Sequence, residues 1–340
     1  MLRQLVAVAV VVCFVVPASA REEPFGQETV EVRDWRKPPR PSAAHQHHRH
    51  GHTHGAAQKH EHGAGHAREH AEHGGHQHGV ETEHLFGFTV GSDIDKPGVK
   101  HIISDLSGRF GKQGGSYAAL TQRFEYAFTP WRDFHVGLGA SVAAHRISDV
   151  PGVDDRRQMQ FEGLSLELRQ RLLDRAHAPF GLTLVAEQHW ARVDETGGAR
   201  VEKNALELTL AADKELIKDR LFAALNLFYE PEWVRLKSSG EMERESTVGI
   251  ALAGMTRIAS SVFVGGEARY LRKYEGAALN TFAGEALYLG PVIYVGMNHS
   301  LVLVAAYSTQ VAGRPAGGFA GLDLDHFQRH VAKLKAVFHF

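Results

Sequence analysis

The chain has 340 residues and a formal net charge of −1, with 38 Lys and Arg against 39 Asp and Glu. This length suits one large domain or two small ones, and the balanced charge gives no reason to expect nucleic acid as a partner. The single cysteine excludes a disulfide within the chain and a metal site built from several thiolates.

Residues 1–20 have the features of a secretory signal peptide. Arg3 precedes an apolar run that contains Cys13, and an Ala-Ser-Ala cleavage sequence ends at Ala20. The apolar run is too short to span a membrane as a helix. We therefore expect an exported protein that begins near Arg21 and has no cysteine.

Residues 21–83 contain little material for a hydrophobic core. Thirteen of the 23 histidines lie here, separated mainly by Gly, Ala, Gln and Glu. Such low hydrophobicity does not repay the entropy of folding, so we predict a disordered periplasmic segment, called the arm below. Its candidate metal ligands are His45, His47, His48, His50, His52, His54, His60, His62, His66, His70, His73, His76 and His78.

The spacing of the arm histidines favours reversible binding of divalent transition metals. Repeated His-x-His pairs let an extended chain present two imidazoles on one side, and neutral imidazole binds Zn, Ni, Co and Cu. Protons compete with metal for imidazole near pH 6.5, so binding should weaken as the medium acidifies through that range. The alternatives are a solvated low-complexity linker with incidental metal affinity and a proton-responsive spacer.

Residues 28–32, Glu-Thr-Val-Glu-Val, resemble the short box through which energised outer-membrane receptors contact the periplasmic protein TonB. Those receptors have a large folded plug and a barrel of about 22 strands. This chain has room for neither, so TonB is not expected as a partner.

From residue 84 to residue 340 the sequence predicts an all-β fold, a transmembrane antiparallel up-and-down β-barrel of about 12 strands. Several segments alternate between apolar and polar side chains, as expected when one face meets lipid and the other meets water. In one of them Phe134, Val136 and Leu138 alternate with His135 and Gly137. The predicted strands are 84–95, 116–129, 133–148, 159–172, 180–193, 203–215, 221–236, 243–258, 262–274, 285–297, 300–312 and 327–340.

The connections between these segments alternate in length, beginning with a long one from Lys96 to Gly115 and a short one from Pro130 to Arg132. Outer-membrane barrels have short periplasmic turns and longer external loops, so an even strand number puts both ends in the periplasm. Aromatic residues on the predicted lipid face form two groups, one for each membrane interface. They are Phe128, Phe134, Phe180, Phe338 and Phe340 at the periplasmic ends and Trp190, Tyr229, Trp233 and Tyr270 near the external ends.

The last ten residues resemble the closing strand of bacterial outer-membrane β-barrels. Apolar side chains occupy every second position back from a terminal aromatic residue, in the row Ala332, Leu334, Ala336, Phe338 and Phe340. The resemblance implies a porin-like barrel in the cell outer membrane, with membrane lipid and the barrel assembly machinery as partners. It also implies that Phe338 and Phe340 form the assembly signal.

The other faces of the predicted strands supply a charged lumen. Inward positions include Arg123, Glu125, Glu167, Arg169, Arg171, Glu187, Glu207, Glu230, Glu267, Arg269, Lys273, Lys333 and Lys335. These charges fit either a structural ion network that fills the barrel or the walls of a narrow polar channel. His135, His145 and His189, with Glu187, are candidates for a metal relay through the lumen or for hydrogen-bonding wall residues.

Catalysis is not expected. The nearest match to the His and Ser of membrane phospholipases is Asn298, His299 and Ser300, which falls in a predicted periplasmic turn. An acyl-transfer site needs a nucleophile, an adjacent base and an oxyanion hole, and the sequence offers no such set.

These features together predict an outer-membrane protein whose periplasmic arm binds Zn, Ni, Co or Cu and supports metal uptake, efflux or tolerance, with a periplasmic metal carrier as a partner. Copper-resistance outer-membrane proteins have a comparable layout, although their leader is usually Met-rich and this arm contains no Met. The alternatives are a non-transporting outer-membrane anchor or adhesion barrel with a disordered tether, and a soluble periplasmic metal buffer.

Overall fold

The computed structural model describes residues 80–340, which contain a closed barrel of twelve antiparallel strands. Each strand pairs with its neighbours in the chain, and the last strand pairs with the first to close the sheet. The predicted fold class is confirmed. The strands are β1 (Lys100–Phe110), β2 (Ser116–Trp131), β3 (Phe134–Ser148), β4 (Arg156–Leu173), β5 (Gly181–Val193), β6 (Arg200–Ile217), β7 (Leu221–Leu236), β8 (Met242–Ala259), β9 (Val262–Glu275), β10 (Thr281–Asn298), β11 (Leu301–Pro315) and β12 (His330–His339).

The barrel has two rims that differ in their connections. We call the rim where β1 begins and β12 ends the proximal rim, and the opposite one the distal rim. The proximal connections are 132–133, 174–180, 218–220, 260–261 and 299–300, and the distal ones are 111–115, 149–155, 194–199, 237–241, 276–280 and 316–329. The distal connections are longer on the whole, which is the asymmetry of outer-membrane barrels.

The strands place apolar side chains on the outside of the barrel. On β3, Leu138 is 52% exposed while His135, three residues away, is 1% exposed. The predicted aromatic groups also face outward at both ends, with Phe340 56% and Trp190 48% exposed. A soluble fold would bury these side chains against each other. The chain is therefore an outer-membrane β-barrel, and the interpretation as a soluble periplasmic buffer is wrong.

Residues 80–340 contain no helix that is both long enough and apolar enough to cross a bilayer.

One strand prediction is wrong. Residues 84–95 do not form the first strand, which instead is β1, within the stretch predicted as a long loop. The apolar residues Leu85 and Phe86 produced the incorrect prediction, because they are fully buried inside the barrel and do not face lipid. The true first strand has a weaker pattern, since Ser104 and Gly108 interrupt its outward row. The other eleven predicted strands overlap the observed ones.

Candidate functional site

Residues 80–99, which we call the plug, enter the proximal half of the barrel, where 82–83 and 85–87 are buried, while 96–98 are exposed at the rim. Residues 80–83, which the sequence prediction assigned to the arm, belong to the plug, and the arm below means residues 21–79. Leu85 and Phe86 have no exposed surface, and they belong to a hydrophobic cluster formed with inward side chains of the wall. The wall members of this cluster are Ile103, Ala127, Phe222, Ala224, Ala253, Met255, Phe263, Val292, Val302, Val304, Ala306 and Val337. The plug is thus packed against the wall through an apolar core in the proximal half of the lumen.

A single carboxylate, Glu267 on β9, accepts hydrogen bonds from three consecutive backbone N–H groups of the plug. Its Oε1 lies 3.1 Å from the nitrogen of Gly87 and 2.9 Å from that of Thr89, and its Oε2 lies 2.9 Å from the nitrogen of Phe88. Hydrogen bonds to a buried charged acceptor are stronger than those between neutral groups. Glu267 is therefore the main polar anchor of this part of the plug.

Further strands bind the plug backbone through side chains. Asn226 on β7 accepts from the Val90 N–H at 2.7 Å and donates to the Val90 carbonyl at 2.9 Å. Arg169 on β4 donates to Glu83 at 2.9 Å and to the Gly91 carbonyl at 2.7 Å. These pairings satisfy backbone groups that would otherwise be buried without partners.

Two glycines let the plug fit. A Cβ at Gly87 would overlap the Cβ of Ala306, and a Cβ at Gly91 would overlap the backbone of Thr82. The first glycine allows close approach to the wall, and the second allows the plug to fold back on itself.

A cavity of about 390 Å³, which we call the chamber, lies beside the plug in the lumen. Its lining contains nine carboxylates, which are Glu83, Asp105, Glu125, Glu162, Glu167, Glu187, Glu195, Glu207 and Glu230. It contains six Arg or Lys side chains, which are Arg109, Arg123, Arg169, Lys203, Lys333 and Lys335. The lining therefore carries more acidic than basic groups.

Most of the chamber cations are held in ion pairs. Arg123 pairs with Glu125 at 3.0 Å and also with Glu187, while Lys333 pairs with Asp105 at 3.1 Å. Among the described residues, four lining carboxylates make no ion pair with an Arg or Lys, namely Glu162, Glu167, Glu207 and Glu230, and Glu167 lies 3.7 Å from Nε2 of His135. The carboxyl groups without a cationic partner are thus on the side of the chamber formed by β4, β6 and β7.

The structure does not bring the three predicted lumen histidines into one site. His135 and His145 are ten residues apart on β3, which is about 33 Å at roughly 3.3 Å per residue. His135 is near the proximal rim, with Nδ1 3.4 Å from a Glu83 oxygen, whereas His145 Nε2 contacts the Glu195 carbonyl. His189 lies 3.5 Å from Glu187 in the chamber wall. All three side chains face the lumen as predicted, but they make separate contacts.

Sequence reasoning missed a different group of imidazoles at the proximal rim, namely His84, His101 and His339. The ring centroids of His101 and His339 are 4.6 Å apart, and that of His84 lies 5.5 Å from His101 and 6.2 Å from His339. His101 was expected in a loop, because β1 was not predicted. The signal that would have found the pair is the β1–β12 register, in which His101 lies directly opposite His339.

Two plug residues in this region have shifted pKa values. Burial and the nearby charge of Lys335 hold the pKa of His84 well below its ordinary value, so the imidazole is neutral near pH 7. Burial raises the pKa of Glu83, although its partner Arg169 acts in the opposite direction.

The longest distal connection, 316–329, folds over the other end of the lumen. Asp323 has no exposed surface, and its carbonyl accepts a hydrogen bond from the Gln310 side chain at 3.0 Å. Phe327 packs against Tyr288 inside the wall. The distal opening is therefore narrowed by this connection.

The other predicted site residues have these positions. Phe338 lies on the outward row of β12 and Phe340 follows its last residue, so their role as an assembly signal stays a prediction. Asn298, His299 and Ser300 form the proximal turn between β10 and β11, where the Asn298 side chain accepts from the Ser300 N–H at 2.8 Å. The thirteen arm histidines lie outside the described residues, and metal binding by them stays a prediction.

Residues 78–340 match the sequence profile of a family of unknown function, DUF6662. The chain belongs to this family. No curated protein matches it in sequence.

Solved structures with a similar fold are outer-membrane proteins. The COG4313 outer membrane channel from Pseudomonas putida F1 is 12% identical, with a TM-score of 0.51 over 73% of this chain and 98% of that chain. The β domain of the Bordetella autotransporter BrkA is 13% identical, with a TM-score of 0.45 over 71% of this chain and 99% of that one. The NanC porin is 12% identical, with a TM-score of 0.43 over 70% and 98%. At these identities the likeness concerns the fold alone.

Proposed function

We propose that this DUF6662 chain is a plugged outer-membrane barrel that handles divalent transition metals, with the arm collecting ions on the periplasmic side. The observation that carries the proposal is the chamber lining, in which nine carboxylates face six Arg and Lys side chains. This acidic chamber lies next to the plug, and the plug continues directly from the His-rich arm. Imidazole ligands and an acidic passage both favour cations over anions and neutral solutes.

The surplus charge would act directly on a passing ion. Glu162, Glu167, Glu207 and Glu230 have no Arg or Lys partner among the described residues, so each adds negative potential to the chamber when it is ionised. Rings or clusters of carboxylates of this kind select cations in pores. Zn, Ni, Co and Cu are the ions that the arm would supply, and a periplasmic metal carrier would exchange them with the arm.

In this proposal, transport depends on movement of the plug. Leu85 and Phe86 pack against the wall inside the proximal half of the lumen, so ions would pass only when the plug shifts or leaves. Transport in either direction, whether for uptake, efflux or tolerance, would then be gated by plug movement.

The test uses the full chain in planar bilayers under a KCl gradient, compared with the Glu267→Ala variant, in which the plug is loosened. We expect the variant to conduct and its reversal potential to indicate K⁺ preference over Cl⁻. The double substitution Glu207→Gln and Glu230→Gln in that background should reduce the preference. A conducting variant without cation preference would contradict the proposal.

The second candidate function is a non-transporting anchor or adhesion barrel, and the tightly held plug is the observation that favours it. If neither the full chain nor the Glu267→Ala variant conducts, and a deletion strain has no metal-dependent growth defect, the anchor is the better account.

A further inference from the structure

Three potential metal ligands from separate parts of the chain converge at the proximal rim. His101 lies near the start of β1 and His339 ends β12, and they are direct partners across the seam that closes the barrel. Asp95 belongs to the plug, and its Oδ2 contacts Nε2 of His101. One ligand atom from each of the three residues lies within 4.8 Å of the other two.

The fold satisfies only one nitrogen of the central imidazole, the Nε2 that contacts Asp95. His101 has no exposed surface, and its Nδ1 is buried without a hydrogen-bond partner. The Nε2 of His84 is also buried without a hydrogen-bond partner. His84 belongs to the plug, and its ring centroid lies 5.5 Å from that of His101. Buried nitrogens without partners are unfavourable and uncommon in native proteins, and metal coordination would satisfy them.

The geometry points to a divalent transition-metal site formed by Asp95, His101 and His339, with His84 as the adjacent fourth ligand. It rests on the proposed function, because the arm is the source of the metal. Imidazole nitrogens with one carboxylate oxygen suit Zn²⁺ and also Ni²⁺, Co²⁺ and Cu²⁺. Tetrahedral Zn²⁺ with bonds of about 2.0 Å places its ligand atoms about 3.3 Å apart. The separations within 4.8 Å are thus close to the spacing that such a site needs.

Two of the three ligands line a cavity at the proximal rim. This cavity, of about 250 Å³, is lined by His84, Asp95 and His339, together with Glu81 and His299. Since Asp95 belongs to the plug whereas His101 and His339 belong to the wall, a bound ion would fix the plug to the closing seam. A bound metal ion would then keep the lumen plugged, in addition to being the ion that the barrel transports.

The experiment uses the full chain with the thirteen arm histidines replaced by Asn, which we call the arm-silent chain. Its titration with Zn²⁺ by calorimetry, and with Co²⁺ by visible absorption, should give one ion per chain and a tetrahedral Co²⁺ spectrum. His101→Gln and His339→Gln, made separately, should each weaken Zn²⁺ binding at least about 100-fold. Loss of a residue that only hydrogen-bonds to a metal ligand weakens binding by up to about 100-fold, so a loss of this size or more indicates a direct ligand. The matched control is His177→Gln, an exposed imidazole in the proximal connection 174–180, which should leave binding unchanged.

Heat-modifiable gel mobility shows whether each variant forms the barrel, and Asp95→Asn replaces either His variant that does not fold. If the arm-silent chain binds no ion while the original chain binds several, the rim site is wrong and the proposed function stands. If neither chain binds, both are wrong. Unchanged binding after the ligand substitutions would also overturn the rim site, because the ion would then lie elsewhere.

Discussion

Replacing Glu267 by Ala should release the plug, because this residue accepts three plug N–H groups inside the barrel. Each hydrogen bond to a charged group contributes about 1.5–3 kcal/mol, and a buried N–H left without an acceptor costs about 1–3 kcal/mol. Water reaches part of the freed backbone, so we expect the plugged state to lose about 3–6 kcal/mol in total. At about 1.4 kcal/mol per factor of ten, the population of the unplugged state should rise about 10²- to 10⁴-fold.

Single-channel recording in planar bilayers measures this population as open probability. Glu267→Gln is the graded comparison, because its remaining oxygen can still accept from Gly87 and Thr89, and it should raise open probability only about tenfold. Glu245→Ala is the matched control, since that carboxylate pairs with Lys273 on the neighbouring strand. If folded Glu267→Ala chains remain as closed as the original chain, Glu267 does not hold the plug.

Three further predictions concern the plug, the chamber and the arm. Phe86→Ala removes a fully buried aromatic side chain from the lumen core, a change that typically costs about 3–5 kcal/mol of stability. It should therefore raise the open probability and expose the plug to protease. An unchanged cleavage pattern would refute the packed plug. Gly91→Val should prevent the plug from folding back, because its Cβ would overlap the Thr82 backbone, and the variant should conduct continuously in bilayers. Gly254→Val, at an exposed position of β8 with open space around it, should not conduct. The Zn²⁺ affinity of the full chain, measured by calorimetry, should fall about tenfold or more between pH 7 and pH 5.5. The reason is that imidazoles of ordinary pKa near 6.5 become protonated over this range. A constant affinity would show that the arm histidines are not the ligands.

The barrel was predictable from the sequence because its wall obeys a local rule. Residues such as Leu138 and Leu164 face lipid while their neighbours face the lumen, and this alternation is present in the sequence without knowledge of the fold. The inward charges Arg123, Glu187 and Glu267 were assigned correctly for the same reason.

The plug and the rim histidines were not predictable, because they depend on contacts between residues far apart in the chain. The plug has the apolar alternation of a membrane strand, and only its anchors on β4, β7 and β9 distinguish it from one. His101 and His339 are at opposite ends of the barrel sequence, and they become neighbours only when β12 pairs with β1. The register between the first and last strands is determined by the whole sheet. The residue pattern of a single strand therefore does not reveal it.

The most direct test of the central claim is the entry of Zn²⁺ into lipid vesicles that contain the purified chain and a zinc-sensitive dye. The account predicts Zn²⁺ entry above that of empty vesicles for the full chain, and entry at least about tenfold faster for Glu267→Ala, in proportion to the unplugged population. Sulfate should enter far more slowly than Zn²⁺ through the same variant, because the chamber carries surplus negative charge. Zn²⁺ entry equal to that of empty vesicles for both chains, with both barrels folded, would contradict the account.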